Sequence, residues 1–221
     1  MKWFVRKHIY VPTWPVFLGG CLLVGVLGVA LVSSVYDWLA VDRLVELEAA
    51  PDQCLLVVEG WAPDDVVAEA AALFQRGGYA KIASTGGPIT GMVHLFQTDT
   101  YASFGAGRLI GLGIPAESII VASAVSVDRR RTQRSALDLK EELKRHEGIP
   151  PVINILTHCV HARRSRMIFQ RVFGDEAVVG VRGIASEDFT AKTWWKSSAG
   201  LKSVPLEIVS LIYDWAAPAR H

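Results

Sequence analysis

An uncharged run of about 21 residues, Val16 to Tyr36, constrains this chain more than any other feature it carries. At a helical rise of about 1.5 Å per residue the run reaches roughly 30 Å, the thickness of a bilayer's hydrocarbon core. Its flanks differ in charge. Lys2, Arg6 and Lys7 precede it; Asp37, Asp42, Glu46 and Glu48 follow, with Arg43 as the only nearby base. Excess positive charge stays on the cytoplasmic side. The expected organisation is therefore a cytoplasmic segment (1–15), a spanning helix (16–36), a juxtamembrane linker (37–51) and an extracytoplasmic domain (52–221). Trp14, Tyr36 and Trp38 suit the two interfacial belts. A cleaved leader has a shorter apolar region and a small-x-small site. Val32-Ser33-Ser34 is a poor match to such a site, so the run reads as a retained anchor.

The rest alternates between two periodicities. Gln53–Glu59 is a short run rich in Val and Leu, closed by Gly60, and reads as a buried strand. Pro63–Gln75 places Val66, Val67, Ala70 and Phe74 on one helical face, with Asp64 and Asp65 in the first turn and Gly77-Gly78 at the end. The alternation continues with strands at Ala80–Ser84, Ser118–Ser123, Pro151–Thr157 and Ala177–Val181. Helices are expected near Thr98–Leu112, Thr132–His146 (Ala136, Leu137, Leu139 and Leu143 inward), Val160–Phe173 and Val204–Trp215, with Pro205 in the last one's first turn. Such alternation implies an α/β fold: a Rossmann-like three-layer domain with a mostly parallel sheet of about five strands.

Composition removes several classes. A charged fraction of 20% with a net charge of +1 argues against disorder and gives no general reason to expect nucleic-acid binding. Three cysteines cannot build a disulfide framework. No GxGxxG follows the first strand and no Walker lysine is present, so ordinary dinucleotide or nucleoside-triphosphate binding is disfavoured and no cofactor is indicated.

Ligands of open parallel sheets bind beyond the carboxyl ends of the strands. There the chain carries Glu59-Gly60-Trp61, Thr85-Gly86-Gly87-Pro88, Ser123 with Ser126 and Asp128, and Thr157-His158-Cys159 followed by His161, Arg163 and Arg164. Gly86 and Gly87 allow a backbone to approach an anion closely. Arg129, Arg130, Arg131, Thr132 and Arg134 stand at the expected start of a helix, where cations oppose the macrodipole and an anionic ligand would offset that cost. The expected anion site is Thr85, Gly86, Gly87, Arg131, Thr132 and Arg164, with His161 as proton donor and Glu59 orienting it or acting as base. Two alternatives stay open: a Cys159 nucleophile with a histidine base, and a metal held by His158 and His161 with Glu59, His94 or Asp99. A Cys54–Cys159 disulfide is disfavoured, because the strand rise between them is on the order of 15 Å. Trp194-Trp195-Lys196-Ser197-Ser198 is aromatic and basic; it either docks the last helix or touches the membrane surface.

The order of these motifs resembles the bacterial family of unknown function typified by YdcF, SanA and ElyC. The resemblance rests on Thr85-Gly86-Gly87 after strand two, Thr132 after strand three, and Thr157-x3-His161-x2-Arg164 after strand four, and it covers about residues 52–190. Departures are Glu59-Gly60-Trp61 in place of a glycine-rich first loop, Asp99 near a usual Glu, and Arg134-Ser135 where Glu-Asn is frequent. The resemblance implies a Rossmann-like domain. For anchored members it implies a place in the bacterial inner membrane and a role in envelope integrity, peptidoglycan or lipid-carrier metabolism. Together the readings anticipate a single-pass envelope protein whose cleft binds an anionic, phosphate-bearing small molecule or lipid-linked ligand, as a hydrolase or transferase. A non-catalytic regulatory or scaffolding module, or a Cys- or metal-dependent hydrolase, is the alternative.

Overall fold

A computed structural model of the chain describes residues 13–40, 47–89, 98–123, 130–146 and 148–216. The flanking charges Lys2, Arg6, Lys7, Asp42, Arg43 and Glu46, and the site candidates His94, Ser126, Asp128 and Arg129, lie outside the described residues.

Five strands form one parallel sheet: β1 (Cys54–Glu59), β2 (Lys81–Gly86), β3 (Ile119–Ser123), β4 (Val152–His158) and β5 (Val178–Ile184). Their order is β3-β2-β1-β4-β5. The protein is thus α/β with a Rossmann-like sheet. β1 is buried along its whole length, as a near-continuous apolar run requires when both faces are covered. Helices α2 (Asp64–Gln75) and α3 (Tyr101–Gly111) cover one face, packing on Leu56, Val58 and Ile82. Helices α4 (Arg131–His146) and α5 (Ala162–Phe173) cover the other, on Leu55, Val57, Ile153 and Ile155. On α4, Ala136, Leu139 and Leu143 are buried, whereas Leu137 lies at the edge of the stripe. The sheet grows from β1 in one direction through β3 and then restarts at β4 on its other side. The carboxyl ends of β1 and β4 therefore form the topological switch point.

Glycines set the spacing of α3 against the sheet. A Cβ on Gly60 would stand 2.0 Å from the carbonyl oxygen of Tyr101, and one on Gly86 would stand 2.6 Å from the Tyr101 Cβ. Gly86 thus belongs to the end of β2, where it pairs with Ser123, and its lack of a side chain admits the first turn of α3.

The first helix, α1, spans Trp14–Ala40 and is long and apolar enough to cross a membrane. It does not end with the apolar run. Residues 37–40, expected as linker, continue the helix, and Tyr36, Leu39 and Ala40 are buried in a third apolar cluster with Cys159, Val160, Phe189 and Trp194. The last helix, α6 (Ser198–Ala216), completes that cluster through Val204 and Leu211. It begins a turn and a half before the expected Val204, so Pro205 sits inside it rather than in its first turn. Ser197 accounts for the earlier start: its carbonyl accepts from Leu201 N at 2.9 Å, and its Oγ accepts from Gly200 N at 3.4 Å.

The close approach at Gly60 makes a specific demand. Gly60→Ala is expected to lower the stability of the full chain in detergent by about 1–3 kcal/mol, the usual cost of overpacking. Gly107→Ala, in the same helix layer but with nothing within 4 Å of its Cβ, is the control and should be neutral or stabilising. Equal unfolding midpoints for the two variants would contradict this packing.

Candidate functional site

A cleft of about 740 Å³ opens at the carboxyl edge, between the Gly86-Gly87-Pro88 turn, the first turns of α4 and α5, and one face of α6. Six of the sequence-expected residues are on or around it. Gly86, Gly87, Arg131, Thr132, His161 and Arg164 all line it. Thr85 and Glu59 do not. They are neighbours across β2 and β1, 1% and 2% exposed, and are buried in the sheet.

The path from β4 to α5 positions the central histidine. After His158 the chain makes a 3-10 turn, Cys159–His161, in which Cys159 has a φ of +37°. This turn replaces the first helical residues expected from Val160 and delivers His161 to the cleft. The His161 ring meets the Trp61 ring edge-on, with centroids 5.0 Å apart. His161 Nδ1 lies 2.7 Å from Glu207 Oε2. Burial alone would raise the Glu207 carboxyl, but its contacts with His161 and Arg164 overcome this and hold it below its ordinary range. An ionised carboxylate only accepts, so Nδ1 carries the hydrogen and donates it. In the neutral ring the lone pair then sits on Nε2, for which no described residue supplies a partner.

Glu207, not Glu59, therefore orients His161. Glu59 instead accepts the hydroxyl hydrogens of Thr157 and of Ser165, the latter at 3.2 Å. The difference follows from register. Glu59 is the last residue of β1 on the face that α4 and α5 cover, so its side chain stays beneath the helices.

Arg164 is deeply engaged as well. Its Nε donates to Glu207 Oε1 at 2.5 Å and its Nη2 to Glu207 Oε2 at 3.3 Å. Its Nη1 donates to Asp214 Oδ2 at 3.3 Å and to Thr132 Oγ1 at 3.2 Å. Burial would lower this guanidinium, yet Glu207, Glu59 and Asp214 together raise it. Its charge is thereby compensated within the protein. Among the described residues no ion pair forms to Arg131 or to Lys202, a second cation that lines the cleft from α6. Arg130 stands 5.7 Å over the Tyr213 ring, and Arg134 pairs with Asp138 at 2.5 Å.

The alternatives fare differently. Cys159 is 1% exposed, and its Sγ shares a hydrogen bond of 2.8 Å with Tyr36 Oη, so the thiol faces α1 rather than the cleft. Cys54 and Cys159 are both buried as thiols at opposite ends of their strands. His158 and His161 have ring centroids 6.1 Å apart, and among the described residues no three His, Cys, Asp or Glu side chains gather as a metal set. Burial, with His161 nearby, keeps His158 below the usual imidazole range. Asp99 precedes α3, and its backbone carbonyl accepts from Ile89 N at 3.0 Å.

The sequence pattern places the last helix, α6, but not as a wall of the site. Its cleft residues include Lys202, Glu207, Tyr213 and Asp214. A signal was present: Glu207 and Asp214, the only acids in this helix, are seven residues apart, hence on one face, and buried carboxylates require cationic partners.

No family model matches the chain, and no curated protein matches it.

The Glu207 environment fixes a pH dependence. A carboxyl held below its ordinary 4.5 in the folded state contributes stability that is present above that value and lost as pH falls through the folded value. Glu207→Gln in the full chain should cost on the order of 3 kcal/mol at neutral pH, because Arg164 loses its bidentate partner. It should also flatten the acid limb of a stability–pH profile followed by circular dichroism. An unchanged profile would contradict the ion pair.

Proposed function

We propose that this protein is a single-pass, membrane-anchored envelope protein whose cleft binds an anionic, phosphate-bearing ligand, with His161 as the proton-transferring group. One observation carries the reading. A histidine whose Nδ1 is fixed by a buried carboxylate shares a cleft with two cations, Arg131 and Lys202, that no described residue neutralises. The start of α4 adds helix-terminal amides at the same rim, a favourable setting for an anion.

Each residue then has a role. Arg131 and Lys202 attract the anion. Gly86 and Gly87 line the cleft beside it. Glu207 holds His161 in the tautomer whose Nε2 takes or returns a proton, and Arg164 holds Glu207. The reaction class is hydrolysis or transfer at the phosphate-bearing group. The charge asymmetry of Lys2, Arg6 and Lys7 against Asp37, Asp42, Glu46 and Glu48 supports a cytoplasmic N-terminus and an extracytoplasmic domain in the plasma membrane. The Thr157-x3-His161-x2-Arg164 resemblance to the YdcF-, SanA- and ElyC-like family supports a connection to peptidoglycan or lipid-carrier metabolism. A purely regulatory binding module is the second reading, favoured by the internal neutralisation of Arg164.

Thermal unfolding of the full chain in detergent, with inorganic phosphate, nucleotides and polyprenyl-phosphate analogues, tests the proposal. A ligand that binds only the folded state adds about 2.7 kcal/mol at 100 times its dissociation constant. We expect a phosphate-bearing compound to raise the midpoint and Arg131→Ala to abolish that shift. Arg131 is exposed, so the variant's unliganded midpoint should not move. No shift with any compound would overturn the anion cleft. Full cellular function in His161→Ala would leave the regulatory reading in its place.

A further inference from the structure

The segment Thr190–Leu206 contains Lys192, Lys196 and Lys202, adjacent tryptophans at 194 and 195, and no acidic residue. All three lysines are exposed, as are Leu201 and Leu206, at 52% and 64%. Trp194 is packed inward, and its Nε1 donates to the carbonyl of Val32 at 3.3 Å. Trp195 meets it edge-on, with centroids 6.0 Å apart, and is only partly covered.

Val32 is where α1 changes character. From Trp14 to Leu31 the helix is exposed all round; from Val32 it packs into the domain through Val35, Tyr36, Leu39 and Ala40. The exposed part is about 18 residues, roughly 27 Å, which matches a bilayer core. The Thr190–Leu206 segment therefore meets the anchor at the level where the hydrocarbon ends. An aromatic, basic segment at that level, itself without an acid although exposed Glu187 and Asp188 precede it, has the composition of a headgroup contact.

We infer that Thr190–Leu206 is a membrane-contact surface that rests on the bilayer crossed by α1. Lys192 and Lys196 engage anionic lipid phosphates, while Trp195 and Leu201 enter the interfacial layer. The inference does not depend on what the cleft binds, only on α1 spanning the membrane. Because Lys202 and Leu206 also line the cleft, its mouth opens at the headgroup level.

The test uses the full chain in bilayer discs of phosphatidylcholine, with or without phosphatidylglycerol. Cys21, the exposed native cysteine, is changed to Ser, and a fluorophore is placed singly at Leu23→Cys, Leu201→Cys or Asp175→Cys. Asp175 lies between α5 and β5, at the opposite edge of the sheet. Brominated lipids should quench the Leu23 and Leu201 labels several-fold and leave the Asp175 label unchanged. Lys192→Gln with Lys196→Gln should reduce Leu201 quenching in the anionic discs to the level seen in phosphatidylcholine alone. A quenched Leu23 label with Leu201 as unaffected as Asp175 overturns the contact surface. An unquenched Leu23 label overturns the anchor and the contact together. A Leu201 label shielded from aqueous quencher but not reached by lipid places protein there and also overturns it, as does a lysine variant with unreduced quenching.

Discussion

The Arg164 guanidinium is the interaction on which the cleft depends. It comes from α5, is held by Glu207 and Asp214 of α6, and donates to Thr132 of α4. Three helices are thus pinned at one point. A buried ion pair of this kind gains little over a well-packed apolar contact, but breaking it strands a charge, at a cost of about 3–5 kcal/mol. Its value here is geometric. Bidentate contact fixes the plane of the Glu207 carboxylate, and that plane fixes the ring of His161. The same carboxylate that neutralises an arginine thereby sets a tautomer.

The switch point supplies the foundation beneath this arrangement. Glu59 ends β1 and Thr157 lies at the end of β4, and the hydrogen bond between them closes the place where the sheet order reverses. A buried carboxylate at this point contributes to the field on Arg164 from below, while Glu207 and Asp214 act from the side. One cation is therefore surrounded by three acids. The positive character of the cleft comes from its rim, not from its floor.

How much of this was legible in the sequence follows from range. The strands could be read because apolar runs bounded by glycine are local signals; all five lie where the periodicity places them, with ends shifted by a few residues. His161, Arg131, Thr132 and the Gly86-Gly87 turn could be placed on one edge because parallel topology dictates where the carboxyl ends lie. The partner of His161 could not. Arg164 and Glu207 are 43 residues apart, and pairing across that distance leaves no periodic trace. Arg164 reads as a ligand-facing cation because its compensating acids, Glu207 and Asp214, lie on a distant helix whose packing against α5 no local pattern reveals. The earlier start at Ser198 brings Lys202 into the helix, and packing puts Glu207 and Asp214 on the face that meets α5.

Tyr36 gives α1 a second consequence. Its hydroxyl caps the Cys159 sulfur, and its ring meets Phe189 edge-on, 6.1 Å between centroids. The boundary between anchor and domain drawn on hydropathy alone passes through this contact. A chain severed there would shed Leu39 and Ala40 or leave them without the turn of helix that holds them, and Cys159 would lose its cover. A sulfur that is inert because it is enclosed becomes reactive once solvent and oxidant reach it. The end of α1 thus acts as a stopper: detaching the domain from this helix opens the apolar seat that keeps the thiol quiet.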